Sequence, residues 1–251
     1  MAAEDRKELN ETEKLELQLQ WLFSDLSVQQ HIEEVFEWRE ALGFKLRALR
    51  YVEGKLVAMA HSAPGVVKEE MKQPGVLMRS TPVVIENARL NLEFFFYLGT
   101  AFFDILAKLT KRFYPRNEKS FPNDQRLYFT DIVRILTETG IDKEYAELLS
   151  KHRYWITSIY NNRNVLAHSA SPFIGFDENW NMIFEKRSPE QAELWREHKN
   201  ENLAEYLEEI ASNLYDFLEH YLAHFRKVVP ESESTQILRK ALETGEIKTI
   251  L

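Results

Sequence analysis

The feature that most constrains this chain is the run from Thr81 to Phe113. Thr81-Pro82 pairs an N-cap residue with a proline at the first helical position, and Pro115 stops the pattern. The run reads as one helix of roughly 48 Å. Its apolar surface is broad, with Phe94, Phe95, Phe96, Tyr97, Leu98, Phe102 and Phe103 in one stretch. A helix apolar nearly all round must be covered on more than one side, by other helices or by a partner subunit. Glu93, Asp104 and Lys108 within its most apolar part, Leu90–Leu109, argue for a buried core helix and against a membrane span.

The rest of the chain agrees with long helices. Glycine and proline number only eight each in 251 residues, which disfavours a turn-rich β protein. Thr12 to Asp25 reads as a first helix with Leu15, Leu19, Leu22 and Phe23 on one face. Ser27 reads as the N-cap of a second, through Ile32, Val35, Phe36, Arg39 and Leu42. Glu53-Gly54 either breaks that helix or turns a hairpin between Leu49–Val52 and Lys55–Ala58, and Ser62–Ser80, with two Pro-Gly pairs, reads as a loop. Asp124 is expected to cap the next helix and Gly140 to close it. Asp142 then caps a helix with the stripe Tyr145, Leu149, His152, Ile156, Ile159 or Tyr160, Arg163 and Leu166. A β-hairpin is expected within 173–184, around Asp-Glu-Asn-Trp-Asn. Ser188-Pro189-Glu190-Gln191 is a capping box that starts a helix interrupted near Asn200 and continuing to Phe225. Pro230–Ser234 is a linker, and Thr235–Glu243 a short terminal helix. The expected class is all-α, an antiparallel helical bundle. Its expected divisions are an N-terminal helical extension over 1–80, a bundle over 81–226 and a tail over 227–251.

Charge and composition narrow the function classes. Lys plus Arg is 32 against 40 for Asp plus Glu, a net charge of −8. That opposes nonspecific nucleic-acid binding, so any such site must be a local basic patch. The absence of cysteine excludes disulfides and thiolate metal sites and fits a reducing cytosol. Met1–Asn10 is charged and lacks a signal peptide's apolar core, so a cytoplasmic protein is expected.

One stretch carries chemistry. Asn161–Ser169 reads Asn-Asn-Arg-Asn-Val-Leu-Ala-His-Ser and gathers Arg163, Asn164 and His168. A guanidinium grips phosphate oxygens with two parallel hydrogen bonds, and histidine takes and returns a proton near neutral pH. RNA supplies its own nucleophile, the 2′-hydroxyl, so this set suffices to cut it without a metal. Asn164 and His168 share a helix face, whereas Arg163 and His168 leave an ideal helix about 140° apart. They meet on one phosphate if the helix bends or ends, or if a second copy contributes, which makes a homodimeric site attractive. Leu148–Phe176 holds no Asp or Glu, and Lys151, His152 and Arg153 lie in it. Lys108, Lys111, Arg112, Arg116 and Lys119 form a second basic run. Lys151, His152, Arg153, Lys111 and Arg112 are therefore the candidate RNA contacts. Beside this stands a structural reading, in which the arginine caps a helix end and the histidine is a satisfied core residue.

Arg163-Asn164-Val165-Leu166-Ala167-His168 resembles the signature of the HEPN superfamily: arginine, usually a polar neighbour, then histidine after four to six intervening residues, in an all-α bundle. The resemblance spans Thr81–Phe225, with Met1–Ser80 as a helical extension. It implies a homodimer with facing motifs and a metal-independent endoribonuclease of a toxin–antitoxin, defence or RNA-processing system. Arg163 and His168 would be the catalytic pair, with Asn164 orienting the site. The implied partners are RNA and an antitoxin protein, with no membrane and no cofactor. Other members are noncatalytic binding modules, and a plain helical scaffold dimerising through its aromatic helix is a third reading. His220 and His224 have metal-ligand spacing, but no Glu-x-x-His pairs accompany them, so no metal site is expected.

Overall fold

The computed structural model describes residues 10–30, 34–71, 80–114, 129–168, 174–184 and 201–244. It is an all-α helical bundle with a two-stranded hairpin. Among the described residues the helices are α1 (Glu11–Gln30), α2 (Glu34–Met71), α3 (Ser80–Thr110), α4 (Phe129–Thr139), α5 (Lys143–His168), α6 (Leu203–Phe225) and α7 (Glu233–Glu243). The hairpin, β1 (Ile174–Phe176) and β2 (Met182–Phe184), lies between α5 and α6 in the chain. Two compact units interleave along the sequence. One comprises Met1–Phe44, Phe103–Lys151 and Tyr215–Leu251, the other Lys45–Phe102 and His152–Leu214.

Local chemistry explains most helix ends. Asn10 and Glu13 cap α1 reciprocally, each side chain accepting from the other's backbone N–H. Gly140 adopts φ 63 after α4 and its N–H returns to the Leu136 carbonyl, the left-handed stop expected of glycine there. Asn202 caps α6 by accepting from the Ala204 N–H at 2.9 Å. Ser232 does the same for α7 through Thr235. In the hairpin Asp177 Oδ1 accepts from the Asn179 and Asn181 N–H groups, and the strands pair Ile174 with Phe184 and Phe176 with Met182.

Three expectations are corrected. Ser27 is not a cap: it lies inside α1, which continues to Gln30. Neither a break nor a hairpin forms around Gly54, and the loop expected over 62–80 is helical as far as Met71. α2 passes through Pro64 although proline in a helix interior costs about 3 kcal/mol. Leu49, Val52, Leu56, Ala60, Ala63 and Val67 are all buried, a stripe at helical spacing on both sides of the proline. Burial of that face outweighs the local penalty. Asp124 and the capping box at Ser188-Pro189-Glu190-Gln191 lie outside the described residues.

In the first unit the core is aromatic. Phe103, Phe129 and Phe217 meet at 5.1 to 6.0 Å between ring centroids, and Tyr145, Tyr221 and Phe225 form a second cluster. Thr110 bonds Tyr221 at 2.9 Å, so α3 and α6 run the same way there. Tyr145 against Phe225, and Lys151 against Asp216, set α5 antiparallel to α6. Buried Asp25 holds Arg226 at 2.6 Å and Thr235 at 2.9 Å, fastening α1 to the chain's C-terminal part.

In the second unit α3 and α5 pack antiparallel. A Cβ on Gly99 would stand 3.0 Å from Ile159 Cγ2, so the helices approach there because glycine has no side chain. α3 is long and apolar enough to cross a bilayer by length and composition, and 56% of its apolar window is buried inside the protein. Gly99→Leu is expected to lower stability by about 1–3 kcal/mol through overpacking against Ile159. A urea unfolding midpoint equal to wild type would mean that α3 and α5 are not in contact at this level.

Candidate functional site

Residues Asn161 to His168 close α5, and their placement comes from a buried polar cluster. The α5 stripe is buried at Tyr145, Leu149, His152, Ile156, Ile159 and Tyr160. Beyond Tyr160 it turns polar without leaving the interior. Asn162 is 2% exposed, and its amide donates to the Tyr206 hydroxyl at 3.3 Å and to Ser158 Oγ at 3.5 Å. Ser158 Oγ and Tyr206 Oη are 3.5 Å apart. Buried polar groups that satisfy one another fix a single rotation of the helix. Asn162 was not singled out in the sequence, because its partner Tyr206 is 44 residues away.

That rotation sets Arg163. The side chain is half-buried, with its guanidinium carbon 5.7 Å from the Tyr97 ring centroid and Nη1 donating to Asn164 Oδ1 at 3.1 Å. Among the described residues no carboxylate pairs with it. A charge on this stripe is costly without a partner. The partners are a π face and a neutral amide, neither of which cancels the charge. Asn164 is exposed and touches Arg163 directly. α5 is still helical at His168, so it does not end between the two residues. Five residues on an ideal helix set their Cβ vectors about 140° apart. The side chain of His168 lies outside the described part of the structure.

The wider basic set divides. Arg153 is exposed, and Lys151 is exposed with Nζ 2.7 Å from Asp216. His152 is buried at 2% exposure, its Nδ1 accepting from Trp155 Nε1 at 3.0 Å, so a strand on the surface does not reach it. Lys111 and Arg112 are half-buried in a turn of 3₁₀ helix after α3, with Arg112 5.2 Å from the Trp38 ring centroid. Lys151, Lys111 and Arg112 belong to the first compact unit, Arg153 and Arg163 to the second.

On the α6 side of Asn162 the charge reverses. Tyr206 also lines an open groove of about 760 Å³ with Asp177, Glu178, Glu201, Glu205 and Glu209. Asp177 there is committed to the hairpin turn. The amide of Asn181 and two backbone N–H groups hold its carboxyl below the usual range.

His220 and His224 do not face a common ligand. His220 is bound to Asp216 on its own helix. His224 Nε2 lies 2.8 Å from Asp142 Oδ2, and its ring stacks on Tyr145. Asp142 is a hub, since it also accepts from the Tyr145 N–H at 2.9 Å and the Tyr114 hydroxyl at 2.8 Å. Burial alone would raise the Asp142 carboxyl. The three donors outweigh it and hold the group below the ordinary carboxylate range, while burial and Asp142 push the Tyr114 phenol up.

Comparison of the chain with protein-family models, with curated proteins and with solved structures finds no match.

A depressed carboxyl pKa adds stability above its unfolded value that is lost as pH falls through the folded one. The stability difference between wild type and Asp142→Asn is therefore expected to be full at neutral pH and to shrink as pH falls below about 4. Urea unfolding measured from pH 7 to pH 3 checks this. A difference unchanged across that range would contradict the hub.

Proposed function

We propose that this chain is an HEPN-like, metal-independent endoribonuclease of the cytoplasm, with its site around Arg163 and His168 at a homodimer interface. One observation supports it most: Arg163 ends a buried helical stripe with only a ring and an amide as partners among the described residues. A held cation with neutral neighbours is ready for a phosphate. A histidine follows on the same helix.

In this reading Arg163 binds the nonbridging oxygens of the scissile phosphate and stabilises the charge that builds on the phosphorane. Asn164 holds the guanidinium through the bond already present. His168 removes the proton from the 2′-hydroxyl. The O2′–P bond forms, the P–O5′ bond breaks, and the proton is delivered to O5′. The products are a cyclic 2′,3′-phosphate and a 5′-hydroxyl. The 140° divergence of Arg163 and His168 on one helix motivates the second copy, which brings a second histidine and so a separate base and acid.

A second reading is a noncatalytic HEPN-like module that binds a nucleotide or a protein such as an antitoxin. The acidic groove and the net charge of −8 favour it, since both suit a basic protein partner.

The test is cleavage of structured and single-stranded RNAs by purified protein in excess EDTA, beside folded His168→Ala and Arg163→Ala variants. Wild type is expected to cleave with EDTA harmless, and each variant to lose on the order of 100-fold or more in rate. No cleavage by wild type on any RNA moves the assignment to the binding module.

A further inference from the structure

We infer that Tyr97 and Phe94 form a stacking platform for an unpaired base of the RNA whose phosphate Arg163 holds, so that the substrate is single-stranded at the site; this rests on the ribonuclease reading above. α3 buries Phe95, Phe96, Phe102 and Phe103 almost completely, yet it leaves Phe94 53% and Tyr97 40% exposed. Spaced three apart, these two rings occupy one face of the helix. The Arg163 guanidinium stands over the Tyr97 ring. A cation whose partners among the described residues are neutral thus adjoins one partly exposed ring, with a second on the same face of the helix.

That combination is the chemistry of single-strand recognition. The cation takes the backbone phosphate and the rings take the flat faces of bases, without reading an edge. The contact between Arg163 and Tyr97 sets the direction of approach, along a face of α3 that also carries half-buried Glu93. On the α6 side of α5 the groove of Asp177, Glu178, Glu201, Glu205 and Glu209 repels phosphates. On the α3 side the contact with Arg163 is Tyr97. A strand held at Arg163 therefore runs over α3, where its base meets Tyr97 and then Phe94. A base inside a duplex is already stacked on both faces and has none to offer. Cleavage through the 2′-hydroxyl also needs a backbone free to bring O2′ in line with the leaving oxygen, which a flexible single strand allows.

The same face of α3 continues into exposed Leu90 and Val83, aliphatic residues that a second copy of the chain would cover. The experiment separates the two occupants. Affinity is measured by fluorescence anisotropy for an uncleavable 2′-O-methyl single strand, for the same strand with abasic positions and for a duplex. The proteins are wild type, Tyr97→Phe, Tyr97→Leu and Arg163→Ala, each also weighed by light scattering. Leucine keeps apolar bulk for a protein contact but has no ring. Tyr97→Leu is expected to bind the intact single strand on the order of tenfold more weakly, and Tyr97→Phe to bind as wild type does. The abasic strand is expected to bind wild type as weakly as the intact strand binds Tyr97→Leu, which tests stacking without any variant. If Tyr97→Leu and the abasic strand lose nothing while Arg163→Ala loses affinity, the platform is wrong and the phosphate site stands. If Tyr97→Leu changes only the mass, the face is a contact between copies and the platform is overturned. If wild type binds no strand, the platform and the ribonuclease reading fall together.

Discussion

A helix that is apolar nearly all round cannot stand in water, and much of this chain is the covering of α3. Its rings Phe95, Phe96 and Phe102 enter the core of one compact unit, and Phe103, Leu106 and Leu109 enter the core of the other. Each buried phenylalanine contributes on the order of 1.5–3 kcal/mol by leaving water. α5 approaches α3 at Gly99 and α6 lies alongside α3 at Phe217 and Tyr221. The positions of α5 and α6, and so of Asn161 to His168, follow from that requirement. The part of α3 left uncovered, around Phe94 and Tyr97, is where Arg163 sits.

Polar groups inside the bundle then choose one arrangement among the many that apolar packing allows. Asn162, Ser158 and Tyr206 bond to one another, and a turn of α5 relative to α6 would break the bonds they share. Asp142 collects three donors at the start of the same helix. The helix is thus set by hydrogen bonds near both its ends, and Arg163 inherits its direction from one of them. A charge so placed has its desolvation offset in part by Tyr97 and Asn164, and among the described residues no anion meets it.

What was legible in the sequence had local causes. The stop at Gly140, the cap at Asp142 and the hairpin around Asp177 each rest on a few adjacent residues with strong conformational demands, whereas α3 starts at Ser80, one residue before the cap expected at Thr81. What was misread depends on residues far apart. Ser27 looks like a cap in isolation, but Leu22, Phe23 and Leu26 are buried around it and carry α1 onward. Pro64-Gly65 looks like a turn until the stripe from Leu49 to Val67 is followed through it. His152 counted as a basic surface residue, although its position on the stripe already set it inward. Asn162 escaped notice because an amide has no preferred spacing to a tyrosine on another helix.

The chemistry proposed for Arg163 and His168 makes one demand that no binding module shares: the RNA must supply its own nucleophile. The most direct measurement is the identity of the ends produced when the protein cuts a defined RNA. A cyclic 2′,3′-phosphate opposite a 5′-hydroxyl is the predicted result, since the 2′-oxygen replaces the 5′-oxygen on phosphorus. A 3′-hydroxyl opposite a 5′-phosphate would mean that water attacks instead, and would contradict the role given to this site.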